Sequence, residues 1–379
     1  MIKISEEKPE HAGRLKILNW NVGGAKYLEL EKEEDKIEFK NELNNSLKHL
    51  IKTEKPHVIT LQEIIEYKKP TDTQKIDIVN RPNGYKMHKC ILINNEHHSH
   101  VSKWDNVSIK GNWPDNSYFS QGNAILWRED FKIFPVWSLP DFMTSNEYKD
   151  YINENCKKFI EEVFLMSGLY FGDRNTEPRA ALVAHFVVYE DLISKQRLKR
   201  PLDVFIVNLH LTTITKEREG IPEIDNQALK IRLNQINIIL NGIVSRYNKW
   251  RKDYYKFRGT PRDPKPGENF NRYAPIWILS GDFNFTPKSL EYDTILRSNF
   301  IDVNPHKGNG TKGKWSEKKP TITVDYIFAG PKYNSLDPII IKETIKGNKL
   351  PITDYTISDH YPLSANIDLT ATVSMPDFG

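Results

Sequence analysis

Apolar runs that end in polar residues recur along the chain and alternate with stretches of helical spacing. Each run predicts a strand, because short apolar or alternating runs suit the covered faces of a sheet. Most of the polar residues stand where the runs end. The predicted strands cover residues 15–21, 58–64, 121–127, 179–188, 202–210, 276–279, 321–328 and a last strand after 355–363.

Two longer stretches carry apolar residues at helical spacing. The first spans about residues 31–53 and ends before Pro56, which cannot continue a helix. The second spans about residues 225–247, and a partly acidic insertion near 145–166 also has helical character. The predicted buried seams are Phe39, Leu43, Leu47 and Leu50 in the first helix and Leu229, Leu233, Ile236, Leu240 and Ile243 in the second.

The stretch 278–287 reads Ile-Leu-Ser-Gly-Asp-Phe-Asn-Phe-Thr-Pro. Asp282 and Asn284 stand two residues apart, so on an extended backbone they point the same way, while the two phenylalanines point into the core. Gly281 lets the backbone bend or approach a neighbour closely. A carboxylate and an amide at a strand end suit a functional site, but these residue types also suit an ordinary turn, and the stretch alone leaves both open.

Other strand ends carry single polar residues that fit a structural role or a functional one. Glu63 ends an apolar strand, where a carboxylate is costly unless it is paired or bound to a metal. His210 ends another, with Asn208 on the same face, and suits either a satisfied core histidine or a catalytic one. Asn21 precedes a glycine pair, so a turn is the simpler interpretation there.

Composition narrows the class of protein. The 379 residues include 38% hydrophobic and 11% aromatic residues, enough for a substantial core, and the length suits two domains or one large two-sheet domain. The net charge of +4 is mild, so any surface for nucleic acid must be local. Cys90 and Cys156 are too few for a disulfide framework. Neither a signal peptide nor a membrane-spanning run is recognised, and we expect a cytoplasmic protein with no membrane partner.

Two local clusters stand outside the predicted strands. His97, His98 and His100 lie in a polar segment without helical spacing, which favours a solvated loop over a zinc site. Residues 247–274 interleave lysines and arginines with tryptophan, tyrosine and phenylalanine. That composition suits phosphate contact and base stacking, and it suits equally a solvated loop with aromatic anchors.

Taken together, the polar strand ends favour one shared site, because parallel and mixed sheets bring strand ends into a common crevice. Carboxylates with amides bind a hard divalent cation such as Mg²⁺, and histidines beside acids can be held protonated to donate to a phosphate. No cysteine or serine stands in an evident nucleophile motif, so water is the expected nucleophile. The constellation comprises Asn21, Glu63, His210, Asp282, Asn284, Asp325, Asp359 and His360.

Seven motifs resemble, in order, those of the endonuclease/exonuclease/phosphatase superfamily, whose fold is called deoxyribonuclease-I-like. The resemblance implies an α/β protein, a four-layer α/β sandwich of two packed mixed β-sheets flanked by helices. It also implies one domain at 14–370, with insertions at about 71–119, 138–177 and 247–274 and terminal tails at 1–13 and 371–379. The motifs are Asn-Trp-Asn at 19–21, Leu-Gln-Glu at 61–63, Gly-Asn-Ala-Ile at 122–125, Asn-Leu-His at 208–210, Gly-Asp-Phe-Asn at 281–284, Val-Asp-Tyr-Ile at 324–327 and Ser-Asp-His at 358–360.

The resemblance implies a metal site and a phosphate site. Glu63 would be the principal ligand of Mg²⁺, with Asn21 and Asp359 nearby, and Mn²⁺ could substitute for Mg²⁺. Phosphate-binding positions match Asn21, Asn284 and Arg179, the last within a Pro-Arg-Ala-Ala-Leu-Val stretch.

The resemblance also implies catalytic roles. Asp282 would orient or deprotonate the attacking water, and Asn284 would hold that water or the phosphate. His360 would stabilise the charge growing on phosphorus, and Asp325 would keep His360 cationic. His210 would donate to a phosphate oxygen or assist the leaving oxygen. These roles agree with in-line displacement, which depends on positioning and fixed positive charge.

Some residues depart from the family pattern and argue against particular branches of the superfamily. Gly23 stands where abasic-site and tyrosyl-DNA enzymes carry an acid, and residues 323–326 read Thr-Val-Asp-Tyr where inositol phosphatases have Trp-Cys-Asp-Arg. Bacterial sphingomyelinases are secreted, and no signal peptide is recognised here. No acid stands near Gln121 to serve as a partner for His210.

These features predict a metal-dependent phosphoric ester hydrolase. We expect a Mg²⁺-dependent phosphodiesterase, and the basic aromatic stretch 247–274 favours a nuclease acting on DNA or RNA. One alternative is a phosphatase or phospholipase-C-like esterase on a small or lipid substrate. A further alternative is a catalytically silent nucleic-acid-binding protein on the same fold. The sequence does not predict the oligomeric state.

Overall fold

The structure is a computed structural model that describes residues 10–68, 75–91, 118–131, 133–134, 160–165, 179–214, 216–245, 275–303, 310–314, 319–330, 348–349 and 358–371. The described strands are β1 (Glu10–Asn21), β2 (Val58–Lys68), β3 (Lys75–Asp77), β4 (Tyr85–Ile91), β5 (Tyr118–Arg128), β6 (Ile133–Phe134), β7 (Ile160–Phe164), β8 (Ala180–Glu190), β9 (Arg197–His210), β10 (Ile276–Asp282), β11 (Ile301–Asp302), β12 (Lys312–Lys314), β13 (Lys319–Ile322), β14 (Asp325–Gly330), β15 (Asn348–Lys349) and β16 (Leu363–Ala371). The described α-helices are α1 (Gly24–Glu29), α2 (Glu33–Glu54), α3 (Pro222–Asn237) and α4 (Leu290–Arg297), and α3 continues as a π-helical segment, Ile238–Ser245.

The strands form two mixed sheets. In the first sheet the order is β15-β16-β1-β2-β5-β4, with β3 paired to β2. In the second sheet the order is β11-β14-β10-β9-β8-β6, with β7 paired to β8. Each sheet contains one parallel pair near its centre, β1 with β2 and β9 with β10, while the flanking pairs are antiparallel. A short β12–β13 hairpin stands apart from both sheets.

The sheets pack face to face, and helices cover their outer faces. The central core contains residues such as Ile17 and Val58 of the first sheet with Ile206 and Ile278 of the second. Helix α2 packs on the outer face of the first sheet. The π-helical segment and α4 pack on the outer face of the second. This is the predicted four-layer α/β sandwich.

Helix α2 follows the sequence prediction closely. Its buried apolar residues are Phe39, Leu43, Leu47 and Leu50, the four predicted for the seam. The chain leaves the helix through Lys55, which adopts a left-handed conformation with φ 49° before Pro56. Pro56 disfavours an α conformation in the residue before it, so the helix ends where the sequence requires.

The predicted seam of the second helix is only partly correct. Ile236 and Ile243 are buried, but Leu229, Leu233 and Leu240 are half-buried. Two polar residues, Arg232 and Gln235, take the buried face instead. Both are satisfied there, because Arg232 pairs with acidic side chains and Gln235 hydrogen-bonds to Thr212. The π-helical turns from Ile238 further shift the phase of the face.

Two predicted assignments of secondary structure are wrong. Residues 321–328 are two strands, β13 and β14, so Asp325 begins a strand instead of standing within one. Residues 160–164, assigned to a helical insertion, form strand β7. The stretch 71–119, predicted as an insertion, includes β3 and β4, and β4 lies at the edge of the first sheet. Lysines along β4 are typical of an edge strand and obscured its pattern.

Other predictions fall on residues that the structure does not describe. They include the histidine cluster at 97–100 and the basic aromatic stretch 247–274. Among the described helices, none is both long enough and apolar enough to cross a bilayer.

Gly281 allows β10 and β9 to approach closely just before the strand ends. A Cβ atom at position 281 would lie 1.9 Å from the carbonyl oxygen of Leu209. We therefore expect Gly281→Ala to lower the free energy of unfolding by about 2 kcal/mol or more, measured by urea denaturation. Gly242→Ala is the matched control, because the nearest atom to its new Cβ would be 3.7 Å away. Equal stability of both variants would contradict the close approach.

Candidate active site

The polar ends of the central strands converge at one edge of the sandwich. The two parallel pairs end there, because parallel neighbours direct their carboxyl ends the same way. Asp282, the last residue of β10, is directly opposite His210 on one side and Asp325 on the other. Asn21 ends β1 and Glu63 lies within the bulge in β2, so both sheets contribute to the same crevice.

Asp282 lies at the centre of the crevice and is buried. Its Oδ2 atom accepts a hydrogen bond from Asn21 Nδ2 at 3.0 Å, and lies 3.6 Å from His210 Nε2 and 3.7 Å from His360 Nε2. Its Oδ1 atom accepts from the backbone N–H of Asn284 at 3.0 Å. Burial raises the pKa of Asp282, and the His360 cation opposes part of that rise. A carboxylate with a raised pKa is a better proton acceptor, as a general base requires.

His360 and Asp325 form a buried pair. His360 Nδ1 lies 2.8 Å from Asp325 Oδ2. Burial alone lowers the pKa of His360, but the Asp325 carboxylate outweighs it, with help from Asp282, and the pKa is raised to about 9. His360 is therefore an imidazolium at neutral pH, and its Nε2–H has no hydrogen-bond partner among the described residues. A buried donor directed into a crevice is suited to an anionic ligand.

Hydrogen bonds to its backbone fix the segment that carries His360. Ser358 donates its hydroxyl to the carbonyl oxygen of Asn21 at 2.7 Å and accepts the backbone N–H of His360 at 3.1 Å. Trp20 Nε1 donates to the His360 carbonyl oxygen at 3.2 Å. These bonds tie the Ser-Asp-His segment to the end of β1 and explain why two motifs more than three hundred residues apart meet.

His210 has the opposite electrostatic character. Its pKa is lowered well below the ordinary value, first by burial and then by the cations of Arg179 and His360. Arg179 Nη1 lies 3.4 Å from His210 Nδ1, and because a guanidinium only donates, Nδ1 is the acceptor and the ring proton is on Nε2. Arg179 is thus the partner that the sequence did not reveal. His210 is a neutral donor aimed at Asp282 and, at 4.0 Å, at Glu63.

Glu63 reaches the crevice through an irregular backbone. The β2–β5 register shifts between Leu61 and Ile64, and Glu63 there has φ 55°. Such left-handed geometry is uncommon for glutamate, and strained residues cluster at functional sites. Glu63 Oε1 accepts a hydrogen bond from Asn21 Nδ2 at 3.0 Å. The Asn21 amide oxygen accepts from Gly23 N–H, so Asn21 turns its NH₂ group toward both carboxylates.

Asn284 also has a left-handed backbone, with φ 52°. Its Nδ2 donates to the Leu211 carbonyl oxygen at 2.9 Å, and Arg218 Nη1 donates to its backbone oxygen at 3.0 Å. Its buried Oδ1 has no partner in the described part of the chain. Because that atom only accepts, it suits a bound water better than an oxygen of a phosphodiester.

The donor set fits a hard divalent cation. Asp282, Asp325 and His360 have potential ligand atoms within 4.8 Å of one another, but His360 Nδ1 is already engaged by Asp325. Glu63 and Asp359 add carboxylates at the same crevice and are partly accessible. Asn21 would need to rotate its amide to serve as an oxygen ligand, since Gly23 engages that oxygen. A carboxylate-rich, sulfur-free set is the kind that binds Mg²⁺ or Mn²⁺.

Sequence patterns missed two parts of this region. A polar layer beneath the site links the sheets: Gln62 Nε2 donates to Asn19 and Asn208, and Thr60 contacts Ser280 at 2.7 Å. Lys312 also enters the crevice, with its Nζ 3.7 Å from Asp359 Oδ2. It belongs to a short lysine-rich hairpin that carries no strand signal, so nothing in the sequence placed it there.

Comparison with known proteins bears on the fold. No protein-family model matches the chain, and no curated protein matches its sequence. An endonuclease/exonuclease/phosphatase protein from Beutenbergia cavernae has a similar structure, with a TM-score of 0.50 and 14% identity over 94% of this chain and 72% of that one. A protein of the same description from Bacteroides thetaiotaomicron gives 0.47, with 14% identity and 95% of each chain covered. The structure of humanized D. rerio TDP2 gives 0.45, with 16% identity over 94% of this chain and 99% of that one.

Proposed function

We propose that this protein is a divalent-metal-dependent phosphodiesterase that hydrolyses a P–O bond with water as the nucleophile. The comparisons show that it has the deoxyribonuclease-I-like fold of endonuclease/exonuclease/phosphatase proteins. The observation that carries the proposal is the surroundings of Asp282: a buried carboxylate with a raised pKa, within 3.7 Å of a cationic histidine and a neutral one. That arrangement supplies a base and two differently charged donors at one point.

The attack begins with a water held near Asp282. The acceptor Oδ1 of Asn284 is positioned to hold it, and Asp282 removes its proton as the hydroxyl oxygen bonds to phosphorus. The bond from phosphorus to the leaving oxygen then breaks, and that oxygen is protonated by solvent. Asn21 keeps Asp282 and Glu63 oriented through its NH₂ group.

Charge that develops on the phosphoryl oxygens meets fixed donors. The imidazolium Nε2–H of His360 is charge-assisted, and Asp325 keeps it protonated. The neutral His210 contributes its Nε2–H to a phosphate oxygen as a hydrogen-bond donor. Because its lowered pKa keeps the ring neutral, it carries no extra proton to give to a leaving group. A divalent cation held by Glu63 and Asp359 would supply further neutralisation of the phosphate.

Nucleic acid is the substrate class that we favour. The support is the interleaving of cations and aromatics in residues 247–274, which suits a phosphate backbone with exposed bases. The test is a substrate panel with plasmid, single-stranded DNA, RNA, sphingomyelin and inositol phosphates, each with Mg²⁺, with EDTA and with Asp282→Asn. We expect cleavage of a nucleic acid that EDTA abolishes and that Asp282→Asn slows by roughly 10²-fold or more.

The other outcomes separate the alternatives. Turnover confined to a small or lipid phosphoester would favour the phosphatase or phospholipase-C-like activity. A third outcome is that the wild type and Asp282→Asn show the same turnover of every substrate in the presence of Mg²⁺. That result would contradict hydrolysis at this site and favour a binding protein.

A further inference from the structure

Lys312 is fixed to the catalytic segments by backbone contacts. Its backbone pairs with His360 in an isolated β-bridge. The neighbouring Thr311 hydroxyl accepts the backbone N–H groups of Val324 and Asp325, both at 3.0 Å. The segment that carries Lys312 is therefore attached to both halves of the His360–Asp325 pair.

The ammonium group of Lys312 has room for another acceptor. Its Nζ lies 3.7 Å from Asp359 Oδ2, longer than the 2.7–2.9 Å usual for a charge-assisted hydrogen bond. Within the described residues it makes no hydrogen bond, and its side chain is 28% exposed. The Asp359 carboxylate beside it favours the charged form of the ammonium group. A protonated, partly accessible lysine beside two histidine donors is suited to an anion.

The balance of charge at the site indicates how many divalent cations are needed when an anionic substrate is bound. Four carboxylates face the crevice, and three cations oppose them: His360, Arg179 and Lys312. One negative charge is left, and a phosphodiester adds another. One divalent cation neutralises the site with its substrate, whereas two would leave a net double positive charge. Lys312 thus occupies the electrostatic role that a second metal ion would otherwise have.

We propose that the Lys312 ammonium binds a nonbridging oxygen of the substrate phosphate, so that the site functions with one divalent cation. This inference rests on the function proposed above. Lysine binds phosphate as a point charge with three rotatable donors, and it needs no particular orientation of the phosphate.

The test measures phosphate affinity and metal stoichiometry separately from turnover. Inorganic phosphate is titrated calorimetrically into protein saturated with Mg²⁺, using the wild type, Lys312→Met, Lys312→Arg and Lys86→Met. Lys86 is exposed on the edge strand β4, so its substitution matches the loss of charge away from the site. We expect Lys312→Met to weaken phosphate binding about tenfold or more, and the other two variants to stay within a few-fold of wild type. Titration of Mg²⁺ alone should give one equivalent per chain.

Unchanged phosphate affinity in Lys312→Met, no phosphate binding by the wild type, or two Mg²⁺ equivalents would each overturn the inference. Circular dichroism and thermal unfolding identify a misfolded methionine variant, and Lys312→Gln, which removes the charge but keeps a polar side chain, then takes its place with the same expected loss of phosphate affinity. Hydrolysis of the substrate panel with intact phosphate affinity in Lys312→Met removes the lysine assignment and keeps the proposed function. Lysine-dependent phosphate binding without any hydrolysis removes the proposed function and keeps the lysine as a phosphate ligand.

Discussion

Asp282→Asn is expected to reduce kcat by roughly 10²–10⁴-fold at neutral pH, the range attributed to a lost general base. Asparagine has the same shape and keeps an oxygen to accept the Asn284 backbone N–H, but its NH₂ group would face the Asn21 donor that Oδ2 accepts in the wild type, so folding is checked in parallel. It cannot take a proton from water. The measurement is kcat and KM on whichever phosphoester the substrate panel identifies, with thermal unfolding in parallel.

The matched control for Asp282→Asn is Asp203→Asn. Asp203 is equally buried and lies 3.0 Å from His185 Nε2, outside the crevice. We expect that variant to change stability and leave kcat within a few-fold of wild type. If Asp282→Asn retained wild-type kcat while EDTA still abolished turnover, the base would have to be another group.

Asp325→Asn is expected to reduce kcat/KM by roughly 10²-fold near neutral pH and to move the pH profile. Asparagine can still accept from His360 Nδ1, so the ring stays oriented while the charge that holds it protonated is removed. In the wild type, activity should rise with pH as Asp282 loses its proton, and this limb lies above the pH at which an ordinary aspartate ionises because the pKa of Asp282 is raised. Activity should fall again as His360 loses its proton near pH 9. In the variant the alkaline limb should move to lower pH, because the largest influence raising the pKa of His360 is gone. Asp325 also raises the pKa of Asp282, so the acid limb should move the same way.

Stability must be measured beside this profile. Because the pKa of His360 is raised on folding from 6.5 to about 9, its contribution to stability is complete below pH 6.5 and is lost as the pH rises through 9. Thermal unfolding of Asp325→Asn should therefore depend less on pH across that interval. A reduced kcat/KM with an alkaline limb still near pH 9 would contradict the role assigned to Asp325.

Much of the fold could be predicted because its signals are local. Apolar runs marked the central strands, and the spacing of Leu43 and Leu47 marked α2 and its buried face. The strand ends could be grouped into one site because topology brings them together whatever the side chains do. The strand register of the second sheet places His210 and Asp325 directly opposite Asp282, one on each side.

The remaining features depend on contacts between distant segments. The tautomer of His210 follows from Arg179, which a different strand end brings within 3.4 Å. Lys312 enters the crevice because its backbone pairs with His360, and a short hairpin has no periodicity from which to foresee this. The buried face of α3 was misassigned because Arg232 and Gln235 are buried with their own partners, which a hydrophobic pattern does not register.

The left-handed backbone of Glu63 places a limit on engineering this protein. Glycine or asparagine adopts that conformation at less cost, so either would relax the strand bulge and remove a partly buried carboxylate. Selection for thermal stability alone would therefore tend to replace the residue proposed as the principal metal ligand. Position 63 is one where stability and activity oppose each other, and a stabilised variant should keep its glutamate fixed while other positions change.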